Sequence, residues 1–150
     1  MNIIFEPVQP LAQLIRETSA ELNLVPNKYV SAHFRSRYPR PKGTKDIEMT
    51  NQRVTNILDN SIDCVIHESG DRSMPVYFTS DGANHVDYMI HKESPIKIVG
   101  LLNMTRLHSD ELAITTWENT DPKHLYPVYV DLWLMRNSKC VSYGQGGFGK

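Results

Sequence analysis

The sequence predicts an α/β protein in which a parallel sheet carries helices on both faces. Apolar runs rich in β-branched and aromatic residues alternate along the chain with segments of helical periodicity, and neither internal repeats nor low-complexity tracts interrupt them. Polar clusters fall just past several of the strand-like runs. In parallel sheets ligands gather outside the carboxyl ends of the strands, so those clusters are the first places to look for a site.

Pro10 to Leu24 spaces Leu11, Leu14, Ile15, Ala20 and Leu22 near helical intervals, with proline suited to a first turn, and Asn23 to Asn27 ends the helix. Lys28 to Phe34, KYVSAHF, reads as a strand. It stops at RSRYPRPKGTKD, a loop with four basic side chains before Gly43 and two prolines.

Asp46 to Asn60 reads as a second helix with Ile47, Val54, Ile57 and Leu58 on its apolar side, continued by the piece CVIH. Turn signals in ESGDRSMP precede VYFTS, a strand that ends at Ser80, Asp81 and Gly82. NHVDYMIHKE is a short helix and SPIKIVGL a further strand, whereas NMTRLHSDELAITTWENT reads mainly as loop. In DPKHLYPVYVDLWLMRNSK, Asp121 is placed to cap a helix with Pro122 at its first position. Leu125, Val128, Asp131 or Leu132, and Met135 then share a face despite Pro127, and CVSY is the last strand.

With 150 residues, 40% of them hydrophobic, the chain can bury the core of one domain. A formal charge of -1 gives no sign of a nucleic-acid or acidic-membrane partner, so any anion site must be local. No apolar run approaches the roughly 18 residues of a membrane span, and MNIIFEPVQP lacks the pattern of a signal peptide. Cys64 and Cys140 lack zinc-site spacing and are expected as two buried thiols. Trp117 and Trp133 are read as core or interface anchors.

Three polar clusters fall at strand ends: HFRSR, TSD and SYGQGG. His33 and Arg35 are two apart, hence on one side if the strand runs through them, with Arg37 next. Guanidinium groups there suit bidentate grip on a phosphate. Solvated loop arginines beside a core histidine fit the same spacing equally well. Asp81 is placed either to contact a ligand or to cap the next helix. His67, His85, His91, His108 and His124 show no metal-ligand spacing shared with a carboxylate cluster, His91 reads as a surface side chain, and no G-x-S-x-G nucleophile elbow occurs.

Gly144, Gly146 and Gly149 spell G-x-G-x-x-G, the pattern of a dinucleotide-binding turn. That fingerprint needs a following helix and an acidic residue about 20 positions further on, which would have to lie beyond Lys150. On its own SYGQGGFG reads as a tight turn, while backbone N–H groups at a helix start would offer a phosphate contact.

The order of these clusters resembles the GDP-fucose-dependent fucosyltransferases that carry an H-x-R donor motif, the protein O-fucosyltransferase and α1,6-fucosyltransferase branches included. YVSAHFRSRYP is similar to that family's strand and H-x-R, VYFTSD to its strand ending in Thr-Asp or Ser-Asp, and VDLWLMRNSKCVSYGQGGFG to its late helix, strand and small-residue loop. The likeness runs from about Lys28 to the C-terminus.

The resemblance implies a Rossmann-like domain forming the donor-binding half of a GT-B type glycosyltransferase, a truncated one, without the half that helps to bind acceptor. By the same resemblance Arg35 binds the diphosphate and favours its departure, His33 positions the donor, and Asp81, beside Ser80, contacts the nucleobase or neighbouring groups. Where the family often holds phosphate with a Ser-Ser or Ser-Thr pair, this chain has Gln145, Gly146 and Gly147, with Ser142 and Gly144 upstream and Phe148 after, so backbone N–H groups take that role. The implied reaction is inverting, metal-independent transfer of fucose from GDP-fucose, the donor substrate, to a hydroxyl of a protein or glycan acceptor, with no cofactor. The implied compartment is the secretory lumen in a eukaryote and the cytoplasm in a bacterium. A nicotinamide-cofactor oxidoreductase and a sugar-nucleotide-binding module without transfer activity stand as the alternatives.

Overall fold

A computed structural model describes residues 6–35, 51–102 and 121–143. The strands are β1 (Val30–Phe34), β2 (Val76–Ser80), β3 (Ile98–Val99) and β4 (Val141–Tyr143), and the helices α1 (Gln9–Glu21), α2 (Asn51–Ser69), α3 (Ala83–His91) and α4 (Tyr126–Asn137). The strands form one sheet in the order β3-β2-β1-β4, and every pairing is parallel. The expected parallel α/β architecture is present.

Strand alternation divides the core in two. Val30, Ala32 and Phe34 of β1, with Val76 and Phe78 of β2, pack against Ile62, Val65 and Ile66 of α2 and Val86 and Met89 of α3. Residues of opposite parity, Tyr29 and Tyr77, pack with Leu11 and Ile15 of α1 and Val130, Leu134 and Met135 of α4. Because successive side chains of a strand point to opposite faces, α2 and α3 cover one face of the sheet and α1 and α4 the other.

α1 has its proline in the first turn and buries Leu11, Ile15 and Thr18. It ends three residues before the expected Leu24, and the chain then turns through Asn23 and Asn27, whose φ values of 54 and 61 lie in the left-handed region that asparagine tolerates. α2 extends through the CVIH piece to Ser69 and stops at Gly70, which has a left-handed φ of 68 and donates its N–H to the Ile66 and His67 carbonyls. The side chains of Ile47, Val54, Ile57 and Leu58 lie outside the described residues. Their place as the packing stripe is taken, among the described residues, by Ile62, Val65 and Ile66.

β2 coincides with VYFTS, and all five residues are buried. β3 is shorter than SPIKIVGL suggests, because only Ile98 and Val99 pair with β2. The chain then passes so close to β2 that a Cβ on Gly100 would stand 2.6 Å from the Phe78 carbonyl oxygen and 2.9 Å from Val86 Cγ1. The stretch containing Trp117 and His108, expected as loop, lies outside the described residues.

The single helix expected after Asp121 is two pieces. Asp121 accepts a hydrogen bond from the Lys123 N–H at 2.9 Å and opens a 3-10 turn over Pro122–Leu125, and α4 starts afresh at Tyr126 with Pro127 in its first turn. A proline there removes no intrahelical hydrogen bond, which explains why the helix tolerates it. The buried face of α4 is Val130, Asp131, Leu134 and Met135, displacing the expected Leu125 and Val128, which are half-buried. Trp133 packs partly against this cluster with the Arg136 guanidinium 5.0 Å above its ring.

The cysteine expectation is corrected. Both thiols are free, but Cys64 is exposed on α2, and only Cys140 is partly buried, where burial pushes its pKa up. Two polar pairs cross the α4 interface: the Tyr29 hydroxyl donates to the Leu134 carbonyl, and the Tyr77 hydroxyl donates to Asp131 Oδ1. Burial raises the Tyr29 pKa to about 12. Ser31, which pairs with Tyr77 in the sheet and is fully buried, has no hydrogen-bond partner for its Oγ.

Candidate functional site

From β1 the chain winds outward through α2 to β2 and through α3 to β3, then returns by α4 to the other side of β1. The direction of winding therefore reverses between β1 and β4. Connections leaving two such neighbouring strands diverge to opposite faces and leave a crevice at their carboxyl ends, the preferred ligand position in parallel α/β sheets.

Register places the candidate residues at the carboxyl ends of these strands. His33 pairs with Thr79 of β2 on one side and with Tyr143 of β4 on the other, and Phe34 pairs with Ser80. The His33 and Tyr143 rings are tilted at 55° with centroids 6.3 Å apart. His33 is half-buried and Tyr143 exposed, so the pair has solvent access at the rim.

β1 ends at Phe34. The alternation expected to carry His33, Arg35 and Arg37 onto one side thus stops before Arg35, which is the first residue past the strand and partly exposed. Arg37 lies outside the described residues, as do Gly144, Gln145, Gly146, Gly147 and Phe148. The residue after Tyr143 opens the glycine run, so this run and the arginine cluster leave from adjacent strands.

The described members of the three clusters share one rim of the sheet but not one face. His33, Thr79 and Tyr143 are in register on the α1/α4 side. Ser80 follows the parity of Phe78, and Ser142, paired with Ala32, follows that of the α2/α3 side. The expected helix cap at Asp81 is also corrected: Gly82 holds the N-cap position of α3, and the Ser80 hydroxyl accepts its N–H at 3.1 Å.

Sequence reasoning passed over His85. Its Nδ1 lies 3.5 Å from Ser80 Oγ, and its ring meets the edge of Phe34 at 88° with centroids 5.1 Å apart. Burial lowers its pKa below the ordinary 6.5, opposed by the charge of Asp81. A serine and a histidine five positions apart across a strand-to-helix junction were the available signal. His91, expected at the surface, is exposed, with Nδ1 3.3 Å from Asp87 Oδ1.

Among the described residues no three His, Cys, Asp or Glu side chains stand together as a metal site, and no helix is long and apolar enough to cross a membrane. Chemically the rim offers a guanidinium, two imidazoles, a phenol and a buried hydroxyl, a set suited to recognising oxygen-rich anions by hydrogen bonds. No family model, curated protein or solved structure matches the chain.

Proposed function

We propose that the chain is a Rossmann-like donor domain of a GT-B type glycosyltransferase and holds the diphosphate of a nucleotide sugar of the GDP-fucose kind between the carboxyl ends of β1 and β4. The observation that carries this reading is the direct pairing of His33 with Tyr143, which brings the start of the arginine cluster and the start of the glycine run to the same point of winding reversal. Arg35 supplies the positive charge in a chain whose net charge is -1 and so has no general attraction for anions. The glycines of the following run allow the backbone to approach phosphate oxygens closely.

In the proposed transfer an acceptor hydroxyl attacks the anomeric carbon and gives up its proton to solvent water, the bond from that carbon to the diphosphate oxygen breaks, and Arg35 stabilises the charge gathering on the departing phosphate. The position of the glycine run favours this reading over a nicotinamide cofactor. A dinucleotide fingerprint places its glycines after the first strand of the sheet, whereas here they follow β4 and arginines follow β1. Calorimetric titration with GDP, GDP-fucose, UDP and NAD, each with and without added metal, tests the proposal. Metal-free binding of the two guanosine compounds alone supports it, and binding of NAD alone overturns it.

A further inference from the structure

Ser80 and His85 meet at the junction of β2 and α3, where hydrogen-bond accounting bears on the position of each proton. Ser80 is 1% exposed, and a buried hydroxyl has one proton to give and two lone pairs to fill. One lone pair takes the Gly82 N–H at 3.1 Å. Among the described residues the acceptor near the hydroxyl proton is His85 Nδ1, at a long 3.5 Å. Leaving that proton without an acceptor carries the cost of an unmet buried donor, a cost met by a neutral ring that accepts at Nδ1 and carries its proton on Nε2.

The ring is held in this orientation from two further sides. Phe34 meets it edge to face. Beneath it lies Gly82, where a Cβ would come within 2.5 Å of Nδ1 and 2.9 Å of Cε1, so the imidazole rests against a position that only glycine leaves open. Nε2 has no hydrogen-bond partner among the described residues, on a side chain that is half-buried at the rim. Phe34, which the ring touches, immediately precedes Arg35.

We infer that His85 is a ligand-binding residue whose Nε2–H donates to a phosphate oxygen of the anion that Arg35 engages, with Ser80 as the positioning residue that fixes the tautomer. The inference rests on the proposed reading of this rim as a nucleoside-diphosphate site. Burial disfavours the charged imidazole, consistent with a ring that donates as a neutral group. It adds the α2/α3 side of the rim, through a residue of α3, to a site otherwise built from β1 and β4.

Long-range nitrogen–proton NMR correlation on the full chain, above the histidine titration range, reports the tautomer without any ligand. The expected state is Nε2–H, and an Nδ1–H tautomer overturns the inference. GDP is then titrated into the same sample and into His85→Gln, which keeps a donor near the Nε2 position, and His85→Leu, which removes it. The Nε2 resonance should move on binding, His85→Gln should stay within about threefold of the parent, and His85→Leu should lose about tenfold to a hundredfold in affinity. If GDP binds the parent and His85→Leu alike while Arg35→Ala loses it, His85 is no ligand contact although the diphosphate reading stands. If the parent binds no GDP, both fall. Should His85→Leu fail to fold, a stationary Nε2 resonance during saturation of the parent overturns the inference by itself.

Discussion

His33 and Tyr143 are direct partners in the parallel register of β1 and β4, with their rings 6.3 Å apart at the carboxyl rim of the sheet. This pairing joins two segments more than a hundred positions apart in the sequence. It sets the positions from which the arginine-rich and glycine-rich segments continue, Arg35 and Tyr143, at the ends of adjacent strands.

Arg35 lies past the end of β1 and is partly exposed, outside both core clusters. Arg35→Ala should therefore leave the melting temperature within about 2 °C of the parent, as surface substitutions usually do. GDP affinity should fall by about 1.5–3 kcal/mol, the range for a hydrogen bond to a charged group. Calorimetry with a thermal melt on the same sample separates the two effects.

Burial lowers the His85 pKa below 6.5, with Asp81 opposing. The folded chain then binds less proton at this ring than the unfolded chain does. The stability this contributes is present above about pH 6.5 and is lost as pH falls through the depressed folded value. Denaturant midpoints measured from neutral to mildly acidic pH should decline more steeply in the parent than in His85→Gln. Parallel curves would remove His85 from the account of acid sensitivity.

Tyr77 donates to the carboxylate oxygen of Asp131, which is 5% exposed beneath α4. Tyr77→Phe keeps the ring and removes the donor, and should lower stability by about 1–3 kcal/mol because a buried acceptor loses a partner. Equilibrium denaturation checks this. A smaller loss in a Tyr77→Phe/Asp131→Asn double variant than the two single losses combined would measure the coupling.

Ser31 is the opposite case, a buried hydroxyl at 0% exposure with no partner. Ser31→Ala removes the unmet polar group and little volume. It should raise stability by about 1 kcal/mol, seen as a higher denaturant midpoint with unchanged slope.

The parallel sheet was legible in the sequence because buried strands such as VYFTS are continuous apolar or β-branched runs that need no partner to be recognised, and that strand came out at Val76–Ser80. The asparagine turn after α1 and the end of α2 at Gly70 were legible from backbone chemistry. The two-piece form of the helix around Pro127 depended on where the first α-helical turn begins, and a periodicity count passes over that boundary. The exposure of Cys64 depended on which side of α2 meets the sheet.

Within the candidate site, the strand-end positions of His33, Ser80, Asp81 and Ser142 were legible, but their division between faces was not. Faces follow from register, which pairs His33 with Thr79 and Tyr143 and leaves Ser80 and Ser142 on the other side. His85 was missed because its meeting with Ser80 requires the chain to turn from β2 into α3, and no periodicity of either element brings those positions together.

The most direct test of the account is amide-shift mapping of the isotope-labelled chain during titration with GDP. Saturable shifts concentrated at His33, Phe34, Arg35 and Tyr143 and in the segments that follow β1 and β4 are expected. Shifts confined to the amino ends of the sheet's strands, around Tyr29, Val76 and Cys140, or a spectrum that GDP leaves unchanged, would contradict a diphosphate site at the carboxyl ends of β1 and β4.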